Sequence, residues 1–412
     1  MVQTAEVAII GAGVIGLAIA HRLTAEGHEV VIIDPAPPGA GASYGNAGTI
    51  ADYAVQPVGT PDVLRALPSL LFDRNSPLSI RRAALPSLAP WLLRFARQSL
   101  PAAARRNAVA IAGLMAEALP GWEALARQIG GEGLMQRKGC LYLYETAAGF
   151  RAAQQDLAFR REIGVSVEML DQDETAAMEP GLPSLPGGAA YFPKAVFMSD
   201  PGQMMGLLAK AAFSGEVGHI VARVDRLERH QGGVKLTGAG LNMTARRVVI
   251  AAGAHSKGLA RQAGDLVPLD TERGYHVEWD MEAPKLNRPC CPTSRGFYFC
   301  PMTGRLRVAG TVELGGLTAP PSRHRIEKLI EGARAFFPDL GQPDRDWMGF
   351  RPSMPDSLPV IGPSRGGAEV IHAYGHGHVG LTLAPVTARM VADLVAGRAP
   401  ETAIETCLPT RF

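Results

Sequence analysis

The sequence predicts an α/β fold: a doubly wound, Rossmann-like domain interleaved with an α+β domain built on an antiparallel sheet. Three observations carry this. The chain opens on apolar strand, glycine turn and apolar helix, in "EVAIIGAGVIGLAIAHRLTAEGHEVVIID" (6–34). Later segments, "GLMQRKGCLYLYET" and "GFYFCPMTGRLRVAGTVE", alternate and turn back as antiparallel strands do. The length, 412 residues, exceeds one simple core, so two domains are expected.

Val7–Ile10 is a continuous apolar run of the kind buried in a parallel sheet. Gly11, Gly13 and Gly16 follow in G-x-G-x-x-G spacing, and the helix that opens with Val14 and Ile15 runs to about Ala25, where Gly27 stops it. Val30–Ile33 is the second strand and Asp34 closes it. Gly11 permits the tight turn, Gly13 lets backbone approach a pyrophosphate, and Gly16 lets helix and strand pack closely. The helix N-terminus offers unpaired N–H groups to phosphates. Asp34, 18 residues after Gly16, is placed to accept hydrogen bonds from a ribose. With strand, helix and acid all in place, the turn reads as a dinucleotide site.

Three distant stretches extend the glycine-rich surface. "GAGASYGNAGTI" (39–50) brings Ser43, Gly45, Asn46, Ala47 and Gly48 directly after Asp34. "VVIAAGAHS" (248–256) is a buried strand ending in small residues, Ala252 and Gly253 among them. "HAYGHGHVGLTLAP" (372–385) supplies Gly375, Gly377 and Gly380 before the last helix. Backbone meeting one ligand from several sides points to a large flat group, a flavin.

Composition narrows the rest. Net charge is +2, which gives no general case for nucleic-acid binding. The five cysteines, Cys140, Cys290, Cys291, Cys300 and Cys407, form no C-x-x-C pair, so reduced thiols and no metal site are expected. No basic leader and no run of about 18 apolar residues is visible, so a cytoplasmic protein without a membrane span is expected.

Taken in order, GAGVIG, GASYGNAG, VVIAAGAHS, GFRPSMPDSLPVIG and GHGHVGLTLAP resemble the D-amino acid dehydrogenase branch of the FAD-dependent amine and amino-acid oxidoreductases. D-amino acid oxidase, glycine oxidase and sarcosine oxidase are wider relatives. "LDTERGYHVEW" (269–279) resembles the substrate-domain strand of members acting on D-proline or hydroxyproline. The resemblance implies an FAD domain assembled from 1–60, 200–262 and 345–412. It implies a substrate domain from 61–199 and 263–344. It also implies cofactor contacts from Val224, Gly377, His378, Val379, Gly380, Leu381 and Thr382, the last three at a helix N-terminus suited to the flavin's developing negative charge. Gly349 stands where sarcosine-type relatives carry a tethering cysteine, so FAD is expected to be non-covalent.

In such enzymes the flavin accepts the hydride, so the protein's task is positioning. Arg351, in "GFRPSMPDSLPVIGPS" (349–364), offers a fork for a carboxylate; the competing reading is an ion pair with Asp356. Tyr275 and His276 alternate across a strand, so only one faces the cofactor. Tyr53 is read either as closing the pocket or as a loop residue. His376 is read as a flavin neighbour or a satisfied core histidine, and Glu313 and Asp200 as structural, Asp200 capping a helix. The expected reaction is oxidation of a small D-amino acid, a cyclic one included, with electrons passing to a quinone or dye-like acceptor. The alternatives are an oxygen-using glycine- or sarcosine-type oxidase and a flavoprotein subunit serving a partner.

Residues 74–116 hold seven arginines (Arg74, Arg81, Arg82, Arg94, Arg97, Arg105, Arg106) and no acidic residue or lysine. Two readings are open: a peripheral contact with the inner face of the membrane, or a solvated helical edge or subunit contact.

Overall fold

The structure, a computed structural model, describes residues 3–412 apart from 73–75, 77 and 216; counts below refer to those residues. Arg74 lies outside them.

The chain begins as β1 (Gln3–Ile10), α1 (Val14–Ala25) and β2 (Val30–Ile33), as the pattern predicts. The arginine-rich stretch folds into α2 (Leu85–Gln98) and α3 (Pro101–Ala116), followed by α4 (Ala118–Ile129). The elements that matter next are β3 (Leu241–Ile250), β4 (Asp270–Asp280), β5 (Phe297–Met302), β6 (Arg305–Leu314) and α5 (Arg323–Phe336). The chain ends on β7 (Arg345–Ser353), β8 (Gly367–Tyr374) and α6 (Gly380–Val395).

One sheet has eight strands, with β1 parallel to β2 on one side and to β3 on the other, and β8 parallel to β3 beyond. Its strands are apolar throughout because both faces are covered. α1 is buried nearly all round, packed against α6 and against the helix Pro201–Ala212. Asp200 caps that last helix by accepting from Gln203 N at 3.0 Å. The chain crosses from β2 to the far side of β1 here, and this reversal opens a crevice at the C-terminal ends of β1 and β3.

The second sheet has nine strands, mostly antiparallel, and centres on β7–β4–β6–β5. α5 covers one face, where Tyr275, Val277, Trp279, Phe297 and Phe299 form a separate core with Leu329 and Phe336. Residues of β4 at even positions point the other way, toward the first sheet's glycine loop.

Two boundaries differ from the sequence reading. The segment from 345 was assigned to the first domain, yet β7 runs antiparallel along β4 in the second sheet, His276 opposite Trp347 and Glu278 opposite Arg345. These side-chain pairs hold it there. The helices α3 and α4 were assigned to the second domain, yet Ile111, Leu114, Met115, Trp122 and Leu125 share one core with Val7, Leu17 and Val386. Together 101–129 are long and apolar enough to cross a membrane, against the expectation that nothing is, and their apolar side is spent in this core.

Trp122 anchors the junction: it is fully buried and its Nε1 donates to Leu381 O at 2.7 Å, fixing the first turn of α6. Trp122→Ala is predicted to destabilise the protein by about 3–5 kcal/mol. Trp122→Phe is predicted to cost about 1–3 kcal/mol, chiefly from the orphaned carbonyl. Denaturant unfolding of both variants checks this.

Candidate functional site

The glycine turn separates packing from binding. A Cβ on Gly11 (φ +117°) would fall 2.4 Å from Ala251 O, and one on Gly16 1.9 Å from Gly11 O, so both positions are closed by backbone. At Gly13 a Cβ would meet only Ser43 Oγ, at 3.4 Å. The space before the N-terminus of α1, lined by Gly13, Val14 and Ile15, is therefore open, as a pyrophosphate requires. Asp34 braces this turn: its Oδ2 accepts from Ala12 N at 2.7 Å and its Oδ1 from Ala36 N at 2.8 Å. A carboxylate has further lone pairs, so ribose hydroxyls remain within its capacity. Ser43 Oγ accepts from Val14 N at 2.9 Å, tying the second glycine loop to the first.

That second loop is gripped from across the crevice. His276 Nδ1 donates to Gly45 O at 3.1 Å, while Arg307 Nη1 donates to Tyr44 O at 3.1 Å and Asn46 O at 2.6 Å. Asn46 braces the turn by accepting from Gly48 N at 2.6 Å and donating to Ser43 O. The Trp347 ring stacks on His276 at 5.1 Å and lies over Gly45, where a Cβ would be 2.1 Å from it. Ala47 packs beside Cys300 and Met302. Arg307 is fully buried and balanced by Glu278, which also takes Arg305 and Arg345. Burial opposes the charge on Glu278, but Arg307 above all overcomes it and holds the carboxyl at about 2. Burial, aided by Arg307, holds the His276 imidazole neutral, down at about 4.

Arg351 stands on β7 further along the same face. Its guanidinium lies over Gly274, where a Cβ would be 2.5 Å from Cζ, and its Nη1 donates to Thr311 O at 3.1 Å. Thr311 holds a φ of +55°, a strained conformation for a β-branched residue. Asp356 is not its partner, because Arg411 takes that carboxylate at 2.8 Å. Gly377 N donates to Pro352 O at 2.7 Å and brings the loop before α6 alongside. His378 is exposed yet crowded by protein, as a cavity wall is, and burial with Arg351 keeps it neutral, near 4. His376 instead faces the core, its Nε2 at 2.9 Å from Thr387 Oγ1. The first amides of α6, from Gly380 to Thr382, have no acceptor in the preceding turn, as at any helix start. Val379 is buried, its carbonyl accepting from Leu383 N, and Thr382 Oγ1 accepts from Ala51 N at 3.1 Å.

Several expected residues lie elsewhere. Tyr275 points to the far face of β4, its hydroxyl donating to Glu313 Oε2 at 2.6 Å and accepting from Ser322 N; His276 is the one that faces the cofactor loop. Tyr53 closes no pocket: it is buried, stacked on Phe192 at 4.4 Å, with its hydroxyl on Cys140 Sγ. Val224 packs inward beside Leu227 and Val248, and Ala252 borders the same core. Gly253 (φ +54°) turns the chain with open space where a Cβ would be. Glu313 is structural, bound to Arg81 and Arg273. Sequence reasoning missed Arg307, Glu278 and Trp347. Tyr142 and Tyr298, both partly buried, pack beside Tyr53 and their hydroxyls meet at 2.9 Å. Among the described residues no cluster could hold a metal ion.

An open phosphate cradle beneath a loop clamped by a second sheet defines a dinucleotide-binding protein. The family model described as FAD dependent oxidoreductase matches residues 6–394, and the chain belongs to that family. It is 35% identical over 432 residues to a D-amino-acid oxidase from Bradyrhizobium diazoefficiens, covering all of both chains. It is 31% identical to D-amino acid dehydrogenase 2 from Ralstonia nicotianae, covering 96% of this chain and 97% of that one. The crystal structure of glycine oxidase from Geobacillus kaustophilus superposes with a TM-score of 0.77 at 27% identity, over 100% of this chain and 99% of that one. The cofactor is FAD, and the residues around Gly13, Ser43 and α6 fit it.

Gly13→Val fills the one open position of the cradle. It is predicted to leave the far-ultraviolet spectrum native and to purify without flavin, which the visible absorbance reports.

Proposed function

We propose that the protein oxidises the Cα–N bond of a small D-amino acid whose carboxylate is bound by Arg351. The observation that carries this reading is a guanidinium held flat over Gly274 by a single hydrogen bond, its fork otherwise uncommitted. Bound FAD supplies the acceptor for the hydride and its electron pair. The chain's own residues do the rest. Arg351 orients the substrate, and neutral His378 adds no charge beside it. The amides opening α6 favour negative charge at that end of the cofactor.

The cyclic substrates, D-proline or a hydroxyproline, and a quinone or dye-like acceptor are the finer form of this reading. FAD is proposed to be non-covalent: the five cysteines are buried and Gly349 lies against Trp347. An oxygen-using enzyme is the second reading, favoured by a relative named D-amino-acid oxidase. Peripheral membrane contact is proposed through α2 and α3. Leu93, Leu100 and Val109 are 71%, 50% and 51% exposed there, among exposed Arg94, Arg97 and Arg106. Arg81 and Arg105 are taken by Glu313 and Glu162 and do not contribute.

Anaerobic bleaching of the flavin by D- and L-amino acids, N-methyl amino acids and simple amines tests the substrate class, and peroxide release in air tests the acceptor. Arg351→Ala is expected to weaken transition-state binding by about 2–5 kcal/mol, with FAD content unchanged. Arg351→Lys is expected to recover part of it. Bleaching by amines without a carboxylate, unaffected by either variant, contradicts the assignment.

A further inference from the structure

On the face of β4 that meets the cofactor loop, two glutamates stand opposite two arginines of β7. Glu278 faces Arg345, and the two are bonded at 3.0 Å. Three rungs along, Glu272 faces Arg351 in the same register, yet among the described residues no ion pair joins them. Opposed residues on antiparallel strands have Cβ atoms about 5 Å apart, within reach of a pair this long. The difference lies in where each side chain goes. Arg351 swings over Gly274 to Thr311 O, away from Glu272. Glu272, only 3% exposed, lines an apolar cavity with Val58, Ile80, Trp91, Phe95 and Leu314.

An ionised carboxylate in such surroundings is costly without a partner. Burial raises the Glu272 carboxyl above the usual range, against the pull of Arg351 and a contact with Ser353, so it keeps its proton to higher pH than an ordinary glutamate does. The neighbours add no rival charge. On β6 Leu314 is opposite, and Glu313 is turned away to Arg81 and Arg273. α2 presents Trp91 and Phe95, and His378, which acts on Arg351, is already neutral above about 4.

We propose that Glu272 is a positioning residue for Arg351: protonated, it leaves the guanidinium to the substrate's carboxylate, and ionised, it competes for it. This rests on the carboxylate-binding role of Arg351. Binding of a carboxylate is then linked to proton uptake by Glu272. The sign is fixed: affinity is full below the pKa of Glu272 in the free enzyme and falls as pH rises through it, by up to about tenfold per pH unit.

The test titrates the FAD-loaded enzyme with propionate, which carries the carboxylate but no amine to confuse the pH profile. Binding is followed by the flavin spectrum over roughly pH 6–10, where propionate stays ionised. The wild type is expected to show a Kd that rises with pH and proton uptake on binding in weakly buffered solution. Glu272→Gln is expected to give a flat Kd near the wild type's low-pH value and no proton uptake. A Glu272→Gln profile that keeps the slope, or wild-type binding without proton uptake, overturns the inference alone. The proton measurement on the wild type stands even if the variant folds poorly. If Arg351→Ala binds propionate as well as the wild type, the carboxylate role of Arg351 fails and the inference with it.

Discussion

The site depends on one buried charge group. Arg307 has no exposure and would be untenable alone in the interior, where an uncompensated ion costs several kcal/mol. Glu278 neutralises it, and the bond leaves Nη1 free to take the carbonyls of Tyr44 and Asn46. With His276 on Gly45, three successive carbonyls of the glycine-rich loop are drawn toward the second sheet. A loop rich in glycine has little preference of its own. Its shape comes from residues more than two hundred positions away, and a cofactor site pre-shaped in this way loses less freedom on binding.

The same face of β4 thus serves two ends. At the Glu278 end the charges are matched and the outcome is rigidity: Arg305, Arg307 and Arg345 meet Glu278, and Asp200 and Asp280 take Arg305 and Arg345 as well. At the Glu272 end the carboxyl lines an apolar cavity, and Arg351 takes its own route over Gly274. The strained backbone of Thr311, whose carbonyl receives that guanidinium, marks where the fold gives up local stability to hold the arrangement.

Much of this was legible in the chain where the signal is local. The spacing of Gly11, Gly13 and Gly16 after an apolar run places the end of β1 and the whole of α1, though β1 starts at Gln3 and not at Val7, and Asp200 reads as the cap it is. Arg351 stands out as a lone arginine among prolines. What was not legible depends on long-range pairing. Whether Tyr275 or His276 faces the cofactor turns on which face of β4 meets the glycine loop, a contact His276 makes with Gly45 across 231 positions. The membership of α3 and α4 is set by α6, which lies some 260 residues later in the contact of Trp122 with Leu381. Tyr142 and Tyr298 meet across 156 positions, and nothing near either one announces it.

The most direct test of the clamp is a double-mutant cycle on FAD affinity, using apoprotein stripped of flavin, with Arg307→Met and Glu278→Gln. Arg307→Met is predicted to weaken FAD binding at least about tenfold by releasing the carbonyls of Tyr44 and Asn46. Glu278→Gln is predicted to do likewise, and the double variant to lose less than the sum, because each change strands the other's charge. FAD bound by Arg307→Met as tightly as by the wild type would contradict the account.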